Sequence, residues 1–170
     1  PNLRIAQKLD GFLIPPGHKG AMLRVLFCVM IAAGSAAAGP DRVSVHLGSH
    51  HAGASRDFEE VNPGLFLSWD RPRGVTLSVG AFRNSYGRGS VAATVTKTVL
   101  THHDSSVAFF AGLAHYPGNG SDIRHAIGDV VPLAGVQLRH RGFFVNAMPG
   151  DGDTVDAIFS FGVTVPLNAQ

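Results

Sequence analysis

Cysteine is nearly absent from this chain: its 170 residues hold one, Cys28, inside an apolar run near the N-terminus. The residues after 38 contain none, so a domain folded from them has no disulfide and no thiol nucleophile. Its stability must come from burial or from closure of the fold. Long apolar runs are also missing. The longest, around Val25 to Ala33, is too short to cross a bilayer as a helix, which needs roughly 20 residues. No stretch carries a helical period, and aromatic residues make up only 8% of the chain, with one Trp and two Tyr. A domain without thiols, long apolar helices or helical periodicity is expected to be all-β.

The first 38 residues differ in character from the rest. Residues 22–38, MLRVLFCVMIAAGSAAA, run from Met and Arg through an apolar stretch to small residues. That order is the pattern of a secretory signal peptide, with Ala36-Ala37-Ala38 at the cleavage position. Residues 1–21 contain Pro15-Pro16 and no sustained period, and they are expected to be an upstream extension outside the fold. Residues 39–170 are expected to form one domain. The whole chain is formally +2, but residues 39–170 balance to about −1, because most of the excess basic residues lie upstream. The basic pI is therefore no argument for nucleic acid.

Within residues 39–170, short alternating runs recur between turn residues. Arg42 to His50, Gly64 to Asp70, Val75 to Phe82, Ser90 to Leu100, Ser106 to His115, Val131 to His140, Gly142 to Met148 and Val155 to Val165 read as eight strands. In the third, Val75, Leu77, Val79 and Ala81 share one face, with Thr76, Ser78 and Gly80 on the other. Eight antiparallel strands at even spacing predict an eight-stranded up-and-down β-barrel, whose closure removes exposed edges. The signal pattern and strand lengths favour the outer-membrane type. The scarcity of aromatics and the non-aromatic C-terminal residue leave a soluble periplasmic barrel as the alternative.

Histidine pairs at His50-His51 and His102-His103 raise the question of a metal. Neighbours on a strand point to opposite faces, so one pair cannot ligate one ion, and no H-x-E or E-x-x-H spacing is present. No metal or other cofactor is expected. Tyr86-Gly87-Arg88-Gly89-Ser90 lacks the strand-to-helix context of a phosphate loop. Asn119-Gly120-Ser121 fits a glycosylation acceptor formally, but a hairpin turn explains it as well. A hydroxyl nucleophile remains open, since Ser85 follows the third strand and His50 or His51 ends the first. In an up-and-down barrel these ends share one rim. Acyl transfer needs that pairing of a hydroxyl with a base.

Several segments together resemble the lipid A palmitoyltransferases, the PagP family of outer-membrane enzymes. Ser49-His50-His51-Ala52 is similar to that family's histidine segment on the first strand. Phe58-Glu59-Glu60-Val61-Asn62-Pro63-Gly64 resembles Tyr-Asn-Glu-Arg-Pro-Trp-Gly, and Phe82-Arg83-Asn84-Ser85-Tyr86 resembles Phe-Lys-Asp-Ser-Trp. Val131-Pro132-Leu133-Ala134-Gly135-Val136 is similar to Leu-Pro-Leu-Ala-Ser-Val, and Met148-Pro149-Gly150 to Ile-Pro-Gly. The five segments occur in the family's order across the domain.

The resemblance implies an outer-membrane acyltransferase that moves a fatty acyl chain, palmitoyl in the family, from a phospholipid to lipid A or a similar glycolipid. It implies a barrel with an interior pocket for one acyl chain, and sheet gaps at Pro132 and Pro149 through which lipid enters. It assigns His51 as base, with His50 the alternative, Ser85 as hydroxyl partner, and Asn84 at the family's Asp position. The expected partners are the phospholipid donor, the lipid A-like acceptor and the membrane, with no nucleic acid, and the barrel is expected to be a monomer in the outer membrane. Asn84 is the main departure, because an amide cannot stabilise an imidazolium as a carboxylate does. Asp57 or Glu59 is the candidate replacement charge, and Gly80, Gly112 and Ala114 are candidates for space at the pocket floor. A silent lipid-binding barrel and a purely structural barrel are the rival expectations.

Overall fold

In the computed structural model, residues 39–167 are described. The expected upstream extension and signal peptide lie outside the described residues. Eight strands run in chain order: β1 (Arg42–Ala52), β2 (Gly64–Arg71), β3 (Val75–Arg83), β4 (Gly89–His102), β5 (Ser105–His115), β6 (Val130–His140), β7 (Phe143–Pro149) and β8 (Ala157–Pro166). Each pairs antiparallel with the next, and β8 pairs with β1, so the sheet closes as a barrel. All eight alternating runs in the sequence became strands, with ends moved by a residue or two.

Short turns join β2 to β3, β4 to β5 and β6 to β7 at one end, and longer segments join the strands at the other. The Arg71 to Gly74 turn is a short 3-10 segment at Pro72–Gly74, with Arg73 at φ 63 and Gly74 at φ 71. Asn119-Gly120-Ser121 is not a tight hairpin turn. It belongs to the 14-residue connection between β5 and β6, where Asn119 is buried and Gly120–Asp122 forms a second 3-10 segment.

Alternation sorts side chains by face. On β4, Val91, Val95 and Val99 point out at 45%, 48% and 53% exposure, whereas Ser90, Ala92 and Thr96 face in and are buried. On β5, Phe109 is 57% exposed and its neighbour Phe110 is 9% exposed. Leu65, Leu67, Leu138, Phe143 and Phe161 continue the outward apolar band on other strands. The outward face of the barrel is thus apolar on several strands.

Inside, the two halves differ. Toward the short turns the lumen is polar and internally bonded. Ser44 Oγ lies 2.8 Å from Thr164 Oγ1, and Ser68 Oγ lies 2.8 Å from Ser78 Oγ. Gln137 Nε2 donates to Asn146 Oδ1 at 2.9 Å, and Asn146 Nδ2 donates to Ser160 Oγ at 3.1 Å. Such pairing offsets the cost of burying polar groups. Toward the long loops the lumen is apolar, built on Phe66, Ala92 and Ala114 with Phe82, Tyr116 and Leu133 packed against them. His46 stands in this wall, its ring 4.5 Å from Phe66 and 4.8 Å from Phe144.

Two stretches of ladder are single-sided. β6 pairs with β5 from Val130 to His140, but with β7 only from Val136 to His140. Pro132 therefore lies where β6 has one partner strand. Similarly, β1 pairs with β2 only from Arg42 to His46, whereas its pairing with β8 continues to Ala52. Both interruptions lie toward the long-loop end.

Candidate active site

The site begins with a bulge. On β1 the pairing with β8 skips between His46↔Gly162 and Gly48↔Phe161, leaving Leu47 as the extra residue. A bulge changes which residues face inward downstream of it. Arg42, Ser44 and His46 line the lumen before it, and Ser49 and His51 line it afterwards. His51 is buried at 6% exposure, while His50 points out and its Nδ1 meets Glu60 Oε1 at 2.9 Å. Of the two candidate bases, His51 is the one brought to the interior.

Ser85 arrives from β3. The turn after that strand is held by Asn84, which is 1% exposed. Its Oδ1 accepts from the backbone N–H of Tyr86 at 2.9 Å and of Arg88 at 3.0 Å, and its Nδ2 donates to Ser90 Oγ at 2.9 Å. The turn closes with Asn84 N–H donating to the Arg88 carbonyl at 2.8 Å, and Gly87 supplies φ 79, a conformation that suits glycine. Ser85 Oγ then lies 2.9 Å from His51 Nε2. The expected hydroxyl and base are within hydrogen-bond reach across 34 residues of sequence.

The Asn84 amide is bonded within the turn, with two bonds accepted at Oδ1 and one donated from Nδ2, and it makes no hydrogen bond to His51 among the described residues. It holds the loop that carries Ser85. His51 Nδ1 is buried and has no hydrogen-bond partner among the described residues. Glu59 does not replace the missing charge, because its carboxylate is bound at 2.8 Å by both Nε and Nη2 of Arg83. Asp57 is exposed on the same loop.

What orients His51 is a ring. Phe58, on the β1–β2 loop, stacks on it with centroids 4.4 Å apart and planes 14° from parallel. Arg56 lies over Phe58 at 4.9 Å and over Tyr86 at 5.0 Å, and donates to the Tyr86 hydroxyl at 2.5 Å. Burial pushes the Tyr86 phenol above its usual range, against the opposing pull of the Arg56 charge. The loop is tied down because Ser49 N–H donates to the Glu60 carbonyl at 2.8 Å and Glu59 N–H to the Ser85 carbonyl at 3.0 Å. Gly48 permits this approach, since a Cβ there would lie 2.6 Å from the Glu60 oxygen. Phe58 and Arg56 were not singled out from sequence as site residues. Their roles depend on how an 11-residue loop folds back, and no local pattern encodes that.

Ser85 and His51 open onto an interior cavity of about 590 Å³, within the range of small-molecule pockets. Its apolar wall includes Phe66, Phe82, Phe110, Leu133, Phe144 and Ile158. Gly80, Gly112 and Ala114 do not leave room at a floor. A Cβ on Gly80 would sit 2.3 Å from the Phe66 ring and one on Gly112 2.2 Å from the Ala93 carbonyl, and Ala114 is buried at 2%. These small residues let the walls close around the large rings. Among the described residues no group of three or more His, Cys, Asp or Glu is placed to hold a metal ion.

No protein-family model matches the chain, and no curated protein matches it significantly.

Proposed function

We propose that the protein is an outer-membrane acyltransferase, moving a fatty acyl chain from a phospholipid to a lipid A-like glycolipid. The observation that carries this reading is Ser85 Oγ at 2.9 Å from His51 Nε2, at the mouth of a largely apolar cavity inside a barrel with an apolar outside. The outward band suits hydrocarbon, and the one-sided stretch of β6 at Pro132 suits lateral entry of a chain. The cavity takes the acyl tail, which leaves its ester carbonyl at Ser85. His51 accepts the Ser85 proton as Oγ attacks that carbonyl. The proton passes to the departing lysophospholipid oxygen, leaving an acyl ester on Ser85. The acceptor hydroxyl then attacks this ester, His51 takes its proton, and Ser85 Oγ recovers it as the new ester leaves.

The unpartnered Nδ1 of His51 favours a second reading. An imidazolium formed there has no carboxylate hydrogen-bonded to its Nδ1, which suits a barrel that binds a lipid and does not turn it over. Mass spectrometry of lipid A from cells with and without the protein, beside a Ser85→Ala variant, separates the two. A gain of one acyl chain that disappears in the variant is the expected result. Unchanged lipid A with the folded barrel in the outer membrane, and lipid co-purifying with it, would sink the transferase and support the binding barrel.

A further inference from the structure

Charge is divided unequally along the barrel. At the end of the short turns lie Arg42, Arg71, Arg73, Lys97, Arg139 and Arg141, against Asp41, Asp70 and Asp104. At the Ser85 end acidic residues outnumber basic ones. The basic excess has a defined outward portion. Arg71 pairs with Val75 and Val75 with Lys97, so on three adjacent strands these residues occupy one row of the sheet. That row faces outward, because the alternate residues Thr76 and Thr96 line the lumen. Arg71 and Lys97 are thus two strand spacings apart, about 10 Å. Arg73 joins them at the tip of the turn, and Lys97 Nζ donates to its backbone carbonyl.

Neither Arg73 nor Lys97 forms an ion pair among the described residues. The nearest carboxylate in sequence, Asp70, is turned to Arg42 and to Thr76, whose hydroxyl donates to it at 2.8 Å. Two residues along each strand toward Ser85, the next outward row is apolar, with Leu77 paired to Val95. Basic side chains beside an apolar surface sit where hydrocarbon gives way to headgroups.

We infer that Arg71, Arg73 and Lys97 form a docking patch for anionic phospholipid headgroups in the leaflet opposite the Ser85 mouth. The patch rests on the membrane reading of the outward band, but not on acyl transfer. Charge complementarity selects the occupant, since a phosphate-bearing headgroup with net negative charge is held at a basic surface and a zwitterionic one is not.

The test is native mass spectrometry of the protein reconstituted in nanodiscs of phosphatidylcholine with a minor fraction of phosphatidylglycerol. Retained lipid should be enriched in phosphatidylglycerol over the bulk, by roughly fivefold for each engaged cation. The R73Q/K97Q variant, which keeps only Arg71 of the three, should lose most of that enrichment, and R88Q/R124Q at the other end should keep it. Enrichment should also shrink at high salt, as screening requires. Retention at the bulk ratio, or equal enrichment in R73Q/K97Q, would overturn the patch. Failure of the barrel to enter these nanodiscs would overturn the membrane reading, a different outcome from insertion without preference.

Discussion

A serine hydroxyl against an imidazole does chemistry only if the ring accepts its proton and stays in place while it does. In this barrel the place is set by Phe58 stacking and the proton by Nε2. His51→Asn is therefore expected to lower acyl transfer by roughly 10²–10⁴-fold, the usual contribution of a positioned base. His50→Asn should leave the rate near that of the unsubstituted protein, because His50 points out toward Glu60. Comparing the two variants in a phospholipid-to-glycolipid assay checks the assignment, and a larger loss for His50→Asn would reverse it. Asn84→Ala tests a different role. It removes both acceptor bonds to the turn backbone and the bond to Ser90, so a loss of about 1–3 kcal/mol is expected. Urea titration of the folded barrel measures it. A stable variant with a slower rate would return Asn84 to the chemistry and against the turn. From sequence Asn84, like Ser85 and Gly87, is a common turn residue, and its burial and three bonds become visible only in the folded turn.

Between residue and barrel lie the strands and loops, and they were not equally legible. The strands could be read because period-2 alternation is a direct imprint of two faces with different surroundings. Val75, Leu77, Val79 and Ala81 were placed on one face by sequence, and they share the outward face in the barrel. The bulge at Leu47 was not legible. Strict alternation from Ser44 and His46 carries His50 inward, and one extra residue reverses that. The β1–β2 loop was equally opaque, and with it the Phe58 stack. The β7–β8 loop offers an element-scale prediction. The Thr154 hydroxyl, and then the backbone N–H groups of Thr154, Val155 and Asp153, hold the Asp151 carboxyl far below the usual carboxylate range. A lowered carboxylate stabilises the folded loop above the unfolded pKa of about 4. That contribution is lost as pH falls through the lowered value. An NMR titration should find the Asp151 carboxyl and the Thr154 and Val155 amides moving together, well below pH 4. A midpoint near 4 would show that the loop does not engage Asp151.

At the scale of the whole molecule, the question is which solvent the outside of the barrel was built for. Water and hydrocarbon give opposite answers to one substitution. Val95 lies midway along β4, is 48% exposed, and is flanked on the same row by Leu77 and Ala111. If hydrocarbon surrounds this row, which lies two residues inside the basic row of Lys97, an Arg there costs more than the about 0–1 kcal/mol of an interfacial position, toward the about 2–4 kcal/mol of the bilayer midplane. Val165 is equally outward and 53% exposed, but it lies one residue from the end of β8. Val95→Arg should therefore lower stability in lipid vesicles by several times more than Val165→Arg, as read from urea titrations of the inserted protein. In water the order has no reason to exist, because an exposed Arg replaces an exposed Val with little penalty at either position. Equal and small effects would mean that the apolar band meets something other than lipid. A steep dependence on depth would fix the Ser85 mouth at one membrane face and the basic turn at the other, the arrangement that both the transfer reaction and the headgroup patch require.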